Sequence, residues 1–327
     1  ENLIIWPPGI HNDVKVGAIL LIDDGAVELE VIEIKNSLIR TKVNLSGKIS
    51  SNKAVVARGF PSMLDYFTEE TISALNFVIS NDIDYIGLSY VRNAEDIVKV
   101  KKQLKNRQLK IISKIELQTA LDNLDEIIHN SDSIMVARGD MGVEVPLKRV
   151  PVIQKDLIRR SNSAGKPVIT ATQMLESMIT SSSPTRAEVT DVANAVYDGS
   201  DAIMLSGETS IGKFPIEAVK VMAETALEAE KALPYDDMMM ERFRQLGPDT
   251  DDAIGFAACQ TSNHLNSSLI VAFTESGSSA GRVSRYRPRA KILAVTPWEG
   301  VRNRLTLFWG VFPIIICLLY TSDAADE

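Results

Sequence analysis

The chain contains 327 residues, of which 45% are hydrophobic and 24% are charged, and its formal net charge is −8. This composition is typical of a soluble globular protein of about two domains, and it excludes the disordered, collagen-like and disulfide-scaffold classes. The acidic balance argues against nucleic-acid binding, which requires a basic surface, but it leaves room for a local basic pocket. Two cysteines, Cys259 and Cys317, cannot form a disulfide framework, so we expect a cytoplasmic location.

Neither end of the sequence has the features of a native terminus. Residue 1 is Glu1, and no basic segment followed by an apolar one comes after it, so we expect neither a signal peptide nor a native start. Residues 305–322 carry no charge, but Gly310 and Pro313 interrupt them, which favours a buried strand over 311–316 rather than a membrane span. Residues 317–327 resemble a translated sequencing adapter, and we interpret them as a non-native tail.

Short apolar runs predict a small β module over residues 14–58. Within it, residues 27–34 alternate apolar and acidic side chains, which is the period of a half-solvated strand. The dipeptide Asp24-Gly25 before this run is a strong hairpin signal. We therefore expect antiparallel pairing here.

Beyond Pro61 the pattern changes to alternating strands and helices, which predicts a parallel sheet with helical crossovers. One helix has a clear start, because Ser183 or Thr185 can act as its N-cap and Glu188 completes a capping box with Thr185. The predicted strands cover 85–89, 110–114, 133–137, 167–171 and 202–205, and helices are predicted at 68–80, 94–104 and 152–164. After a probable linker at 233–252, we predict a helix at 253–265, a strand at 269–273, a loop at 274–279 and a strand at 291–295.

Polar side chains follow the predicted strands, at the sheet edge where catalytic groups of parallel α/β folds cluster. Glu116 and Asp140 end neighbouring strands and could share a divalent cation such as Mg²⁺, although each could instead pair with an arginine or cap a helix. Lys114 points to the same face as Glu116, and a cation beside a metal suits phosphoryl transfer or enolate chemistry. At the same edge Gly139 permits close approach of an anion, and Thr172 and Ser206 supply hydroxyl groups.

The sequence contains no convincing Ser-His-Asp or Cys-His arrangement. The histidines have no nearby nucleophile motif, and neither a Walker A loop nor a Rossmann fingerprint is present. A bound nucleotide would therefore be held by other means.

At these strand ends the sequence resembles the pyruvate kinase family, in an ordered series of motifs from about residue 14 to residue 315. The motifs that carry the resemblance are Ile111-Ile-Ser-Lys-Ile-Glu116, Met135-Val-Ala-Arg-Gly-Asp-Met-Gly-Val-Glu144, Ala171-Thr-Gln-Met-Leu-Glu-Ser-Met178, Ser183-Pro-Thr-Arg-Ala-Glu188, Asp191-Val-Ala-Asn-Ala-Val196, Ile203-Met-Leu-Ser-Gly-Glu-Thr209 and Arg285-Tyr-Arg-Pro-Arg-Ala290.

The resemblance implies an α/β fold: a partial TIM (β/α)8 barrel with an inserted small β domain and a C-terminal α/β domain. On that template residues 1–60 are the latter part of the inserted domain, and residues 61–232 hold barrel strands four to eight. Residues 233–316 are then a truncated C-terminal domain, followed by the tail at 317–327. The first three barrel strands would be missing, so we expect the chain alone to be inactive.

The resemblance also implies roles for the strand-end residues. Lys114 is similar to the catalytic lysine, Glu116 and Asp140 to the Mg²⁺ (or Mn²⁺) ligands, and Gly139, Asp140 and Thr172 to the phosphoenolpyruvate site. Ser206, which lies in the same motif as Glu208, corresponds to a block involved in enolate protonation. The implied partners are phosphoenolpyruvate and ADP/ATP, without nucleic acid or membrane, in a homotetramer when full length.

Some family features cannot be assigned to this sequence. The K⁺ site and a phosphate-binding arginine belong to the early strands, and the block at 52–60 departs from the usual form. The loop of Thr274, Ser276, Gly277, Ser278 and Ser279 resembles one that binds an effector phosphate in some members, and its composition suits a phosphate nest.

Two other functions remain as alternatives at this point. One is a metal-dependent aldolase or lyase acting on pyruvate enolates, which also uses Glu and Asp at adjacent barrel strands. The other is a non-catalytic, metabolite-binding relative, which would usually have lost Lys114, Glu116 or Asp140.

Overall fold

The computed structural model describes residues 3–5, 9–23, 25–51, 53–58, 66–104, 109–245 and 249–316. The predicted tail at 317–327 and parts of the block at 52–60 lie outside these residues. Contacts within the chain divide it into two units, each taken here by itself. The first unit is residues 1–157 with 171–173, and the second is residues 158–170 with 174–327.

The first unit begins with a short helix and a four-stranded antiparallel sheet, which confirms the predicted β module. The sheet has the order β3-β2-β1-β4. The predicted hairpin joins β1 to β2, with Gly25 at φ 87°, whereas Asp24 lies outside the described residues. Alternate side chains Val27, Leu29 and Val31 are buried until a register shift follows Val31. The elements are α1 (Ile10–Asp13), β1 (Ile19–Ile22), β2 (Val27–Lys35), β3 (Leu38–Leu45) and β4 (Val55–Ala57).

The second part of the first unit has the predicted alternation of strands and helices. Its three strands are parallel and adjacent in chain order, so that their carboxyl ends lie at one edge. Thr68 caps the first helix and Asn93 the second, each through its side-chain oxygen. The strands are β5 (Tyr85–Leu88), β6 (Lys110–Ile115) and β7 (Ser133–Ala137), and the helices are α2 (Glu69–Ser80), α3 (Ala94–Gln103), α4 (Gln118–Asp122), α5 (Leu124–Asn130), α6 (Arg138–Glu144) and α7 (Val150–Ser163), which continues into the second unit.

The second unit continues the alternation and ends in a three-stranded parallel sheet of order β10-β11-β12. The capping box is present: the hydroxyl of Thr185, and not of Ser183, accepts the backbone N–H of Glu188. The elements are β8 (Val168–Ala171), whose last residue belongs to the first unit, α8 (Arg186–Tyr197), β9 (Ala202–Met204), α9 (Gly207–Ser210), α10 (Pro215–Lys231), α11 (Tyr235–Gln245), α12 (Thr250–His264), β10 (Leu269–Phe273), α13 (Ser278–Arg285), β11 (Lys291–Thr296), α14 (Glu299–Leu305) and β12 (Val311–Ile315).

Two predictions about the second unit are wrong. The predicted linker at 233–252 contains helix α11, because acidic Asp236 and basic Arg242 complement opposite ends of its dipole and Met239 packs into the core. The strand near 311–316 exists, but of its residues only Val311 is buried. It lies at the edge of the sheet formed by the described residues, where Phe312 is 51% exposed and no described strand needs the N–H that Pro313 lacks.

In the described part of the chain, no helix has both the length and the apolar character that crossing a membrane requires.

A similar arrangement of side chains stands before one strand in each unit. In the first unit Asp132, just before β7, accepts a hydrogen bond of 3.0 Å from the N–H of Ile111 at the start of β6. Lys110 Nζ lies 2.9 Å from the other carboxylate oxygen. The hydroxyls of Ser131 and Ser113 share a buried hydrogen bond of 2.7 Å. These contacts fix the register of β6 against β7.

In the second unit Asp201, just before β9, has the corresponding position. Its Oδ2 accepts the N–H of Val168 on β8 at 3.0 Å, and Ser200 and Thr170 share the hydroxyl hydrogen bond of 2.7 Å. The cation here is Arg287, whose Nη1 lies 2.6 Å from Asp201 Oδ1. Because both side chains of this ion pair are at most 5% exposed, water screens it little.

Arg287 connects this carboxylate to the last helices and strands of the second unit. Its Nη2 donates to Asn162 Oδ1 and to the carbonyl of Gly199, both at 3.0 Å. Its guanidinium stacks 4.9 Å above the ring of Trp309, and the backbone N–H of Trp309 donates to Asp201 Oδ1 at 3.2 Å. The packing of the unit therefore converges on one buried ion pair.

We predict that Asp201→Asn lowers the free energy of unfolding by about 3–5 kcal/mol, because it leaves Arg287 buried without a counter-charge. The new amide group would also point its NH₂ at a group that donates to the carboxylate of Asp201. Urea unfolding of the chain, followed by circular dichroism, measures this change. The exposed Glu224→Gln on α10 is the matched control and should stay within about 0.5 kcal/mol. A loss below 1 kcal/mol for Asp201→Asn would contradict the prediction.

Candidate functional site

The candidate site begins at the carboxyl end of β6, where the strand periodicity places Lys114 and Glu116 on the same side. Lys114 Nζ lies 2.6 Å from Glu116 Oε1 and donates a hydrogen bond of 2.8 Å to Ser89 Oγ, at the end of β5. Glu116 is fully buried, whereas the side chain of Lys114 is 25% exposed. The amine is thus oriented by two strand ends and still reaches solvent.

Glu116 has an environment that suits a bound cation. Burial raises the pKa of its carboxyl, and the Lys114 ammonium and the N–H of Tyr90, which donates to Oε2, oppose that rise. The other oxygen, Oε1, accepts no well-directed hydrogen bond from any described residue, although it forms the ion pair with Lys114. A buried carboxylate oxygen with unused capacity is what a hard divalent ion requires.

Asp140 lies at the end of the next strand, in the first turn of α6. Its Oδ1 is 3.4 Å from the hydroxyl of Tyr90, and its negative charge contributes to the raised pKa of Glu116. In the described ranges, no group of three or more His, Cys, Asp or Glu side chains could enclose a metal. Two carboxylates that leave positions for water and substrate oxygens nevertheless fit Mg²⁺, which usually keeps such ligands.

Gly139 and Thr172 lie together, as predicted, but they are bonded to each other. The N–H of Gly139 donates to Thr172 Oγ1 at 2.9 Å, and this hydroxyl donates to the carbonyl of Ala171 at 2.7 Å. A bound anion would therefore have to exchange with these hydrogen bonds. A β-carbon at Gly139 would contact Thr172 only at ordinary van der Waals distance, so steric fit does not by itself require glycine there.

The backbone is strained at these strand ends. Tyr90, Thr172 and Gln173 have φ values of 54°, 65° and 53°, in the left-handed region that side chains with a β-carbon avoid. For a β-branched residue such as Thr172 the cost is of order 1–3 kcal/mol. Strained residues of this kind cluster at functional sites.

Arg138 is a positioning residue that the sequence interpretation did not identify. It is 8% exposed, and its guanidinium donates to the carbonyls of Thr172 (2.7 Å) and Ala171 (3.3 Å) and to Gln154 Oε1 (3.3 Å). These hydrogen bonds hold the strained segment at Thr172. An arginine directly after an apolar strand, beside Gly139 and Asp140, was the available sequence signal.

Ser89, Tyr90 and Glu144 were also not assigned roles from the sequence. Ser89 orients Lys114, Tyr90 contacts both carboxylates, and Glu144 lies one turn after Asp140 on α6. Ser89, Tyr90, Asp140 and Glu144 line a cavity of about 730 Å³ in the first unit. Burial raises the pKa of Glu144 to about 7, with Arg58 opposing the rise.

Ser206 lies in the second unit, at the end of β9. Its N–H donates to Glu208 Oε2 at 2.8 Å, and the other oxygen of Glu208 accepts the N–H of Leu175 at 3.0 Å. Glu208 is 2% exposed, and both of its oxygens bind backbone. Its role within the unit is therefore to hold the loop that presents the Ser206 hydroxyl.

The predicted effector loop forms a compact turn before α13. Thr274 Oγ1 accepts the N–H of Gly277 at 2.9 Å, and Ser276 Oγ accepts that of Ser278 at 3.3 Å. Gly277 has φ 94°, which favours glycine, and Ser279 follows in the first turn of the helix. Phosphate binding by this loop stays a prediction.

Comparison with known proteins gives matches along nearly the whole chain. The family model described as "Pyruvate kinase, barrel domain" matches residues 1–219, and "Pyruvate kinase, alpha/beta domain" matches residues 252–326. A pyruvate kinase of Clostridium acetobutylicum is 46% identical, over 94% of this chain and 65% of its own length. Those of Staphylococcus saprophyticus and Sporosarcina psychrophila are each 45% identical, over 99% and 93% of this chain.

The chain spans only part of these relatives. It covers 55% of the Staphylococcus saprophyticus protein and 53% of the Sporosarcina psychrophila protein.

Glu144 gives the stability of the folded chain a testable pH dependence. Its folded-state pKa of about 7 lies above the ordinary 4.5, so the stability it contributes is present below pH 4.5 and is lost as the pH rises through 7. Glu144→Gln removes this titration. We compare the two proteins by the difference in their free energies of unfolding, variant minus parent. After allowance for partial exposure, we expect this difference to rise by about 1–2 kcal/mol between pH 4.5 and pH 8, because only the parent loses stability in that range.

Urea unfolding of both proteins at the two pH values measures this difference. The exposed Glu126→Gln on α5 is the control and should show no such rise. An equal difference between Glu144→Gln and the parent at both pH values would contradict the prediction.

Proposed function

The chain belongs to the pyruvate kinase family, and from this premise we propose that its strand-end site transfers the phosphoryl group of phosphoenolpyruvate to ADP. The bond between the enol oxygen and phosphorus breaks, a bond from the ADP β-phosphate oxygen to phosphorus forms, and the enolate takes up a proton at its methylene carbon to give pyruvate. The observation that carries the proposal is the amine of Lys114, held 2.8 Å from Ser89 Oγ and 2.6 Å from Glu116 beside a second carboxylate.

Lys114 is the proposed catalytic residue. Its ammonium would lie beside the transferring phosphoryl group and the enolate oxygen, where negative charge develops. Its contacts with Ser89 and Glu116 restrict its rotamers, so little reorganisation is required when the substrate binds. The site therefore supplies a preorganised positive charge.

Glu116 and Asp140 are the proposed ligands of Mg²⁺, or of Mn²⁺ in its place. When bound, the ion would neutralise charge on the phosphate and carboxylate oxygens of the substrates. The buried, incompletely bonded Oε1 of Glu116 supports this assignment. Tyr90 orients both carboxylates, with its N–H toward Glu116 and its hydroxyl toward Asp140.

The backbone N–H groups of Gly139 and Asp140, with the Thr172 hydroxyl, are the proposed binding groups for phosphoenolpyruvate. Substrate oxygens would replace the hydrogen bond between Gly139 and Thr172, and Arg138 would keep the strained segment in place during that exchange. We propose that Ser206 contributes to the proton transfer that completes the reaction.

We further propose the remaining properties that the family implies for the complete protein. These are a cytoplasmic homotetramer that uses ADP and ATP, requires K⁺ at a site formed by other residues, and binds an effector phosphate at Thr274, Ser276, Gly277, Ser278 and Ser279. The aldolase alternative is less favoured, because the chain's relatives are pyruvate kinases. The presence of Lys114, Glu116 and Asp140 likewise argues against a non-catalytic relative.

We predict that Lys114→Met lowers kcat by about 10³-fold, because the positive charge that stabilises the transition state is lost. The assay follows ATP formation from phosphoenolpyruvate and ADP, in a chain completed at its N-terminus with the preceding segment of the Clostridium acetobutylicum relative. The control is Lys220→Gln, an exposed lysine of α10, which should keep the parental kcat. Retro-aldol cleavage without ATP formation would contradict the proposed reaction and favour the alternative.

We predict that Glu116→Gln and Asp140→Asn each weaken Mn²⁺ binding by at least about tenfold, because each removes a hard anionic ligand. Electron paramagnetic resonance of free Mn²⁺, titrated with the chain itself, measures the dissociation constant. The exposed Glu126→Gln should bind as the parent does. Unchanged Mn²⁺ affinity in both site variants would show that these carboxylates do not hold the ion.

A further inference from the structure

A second cavity lies in the second unit, apart from the effector loop. It has a volume of about 380 Å³ and is formed by α11, the end of α12 and the segment that precedes β11. Residues 267–268, just before β10, and 290–291, at the start of β11, also line it. The cavity is therefore at the amino ends of these strands, whereas the loop at 274–279 follows the carboxyl end of β10.

Two buried polar atoms at this cavity have no hydrogen-bond partner among the described residues. They are the hydroxyl of Ser262 and Nε of Arg287, on lining residues that are 6% and 1% exposed. Leaving such a group without a partner costs about 1–3 kcal/mol, so buried polar atoms are normally satisfied. Both atoms can donate a hydrogen bond, which indicates a missing acceptor.

The charges around the cavity favour an anionic acceptor. Arg289 and Lys291 line its exposed rim. The one carboxylate in the lining is Asp236, whose Oδ1 accepts a hydrogen bond from Asn263. Arg287 is already paired with Asp201, so two cations remain to meet a ligand.

The interior of the cavity also has an apolar part. Met239 and Cys259 are buried there, and the ring of Tyr235 lies beneath the guanidinium of Arg289 at 5.5 Å. A volume of about 380 Å³ falls within the usual range of small-molecule sites. The ligand that fits therefore combines an anionic group with a small apolar body.

We propose that this cavity is a binding site for a small organic phosphomonoester. A phosphate dianion matches the two rim cations, and its three terminal oxygens can accept from Arg289, Lys291 and the unpartnered donors of Ser262 and Arg287. A carboxylate has only one charge and two oxygens, so it would leave part of this set unused.

Calorimetric titration of the chain with phenyl phosphate tests the proposal, because this probe joins a phosphate to a compact ring. Saturable binding is expected, with weaker binding of inorganic phosphate and none of phenol. Arg289→Gln/Lys291→Gln should weaken binding of phenyl phosphate at least tenfold, and Ser262→Ala should weaken it severalfold. The double variant Lys220→Gln/Lys231→Gln removes the same charge from α10 and should bind as the parent does.

Each other outcome overturns the proposal. These outcomes are no saturable binding, an equal loss in the α10 control, or loss in Ser276→Ala of the effector loop with no change in Arg289→Gln/Lys291→Gln. Circular dichroism establishes that each variant is folded. If the rim variant does not fold, Ser262→Ala decides, since unchanged affinity in that variant is incompatible with the proposed contact.

Discussion

The carboxylate that precedes a parallel strand determines the register on which the rest of the structure depends. Asp132 accepts the N–H of Ile111, the second residue of β6, and Asp201 accepts that of Val168, the first residue of β8, and each carboxylate is paired with a cation. Because side chains alternate along a strand, a slip of one residue would turn Lys114 and Glu116 to the opposite face. Contacts at the amino ends of the strands thus fix the register, and the register determines which side chains meet at the carboxyl ends. The same division between stability and function is usual in barrels of this type.

The two ends of the same strands have opposite energetic characters. At the amino ends, the carboxylates of Asp132 and Asp201 are each paired with a cation and with a backbone N–H group. At the carboxyl ends, Glu116 is incompletely bonded, and Tyr90 and Thr172 occupy left-handed backbone. Such a site persists only because surrounding contacts, including those of Arg138, over-determine it. The cost in stability accompanies the placement of a charged amine and two carboxylates at one edge of the sheet.

Local signals in the sequence were sufficient for most of the fold and for the strand ends at which the proposed site residues lie. Apolar runs identified every strand from β5 to β11, and the Thr185 capping box identified the start of α8. Helix α11 was missed because its Asp and Met residues and the neighbouring prolines were interpreted as a linker, although Tyr235, Met239 and Phe243 recur at the four-residue spacing of one helix face. Arg138 and Tyr90 were missed for a different reason. Their roles depend on hydrogen bonds to residues distant in sequence, so the position of Arg138 directly after an apolar strand indicated where it lies but not what it contacts.

The conformation of Thr172 has a consequence for how this position can change over generations. Glycine would adopt φ 65° without strain, but it would remove the hydroxyl that bonds to Gly139. Relief of backbone strain and retention of this hydroxyl therefore favour different residues at one position. A descendant that no longer needed the hydroxyl would be free to take the glycine, so the residue found there would record whether the hydroxyl was still needed.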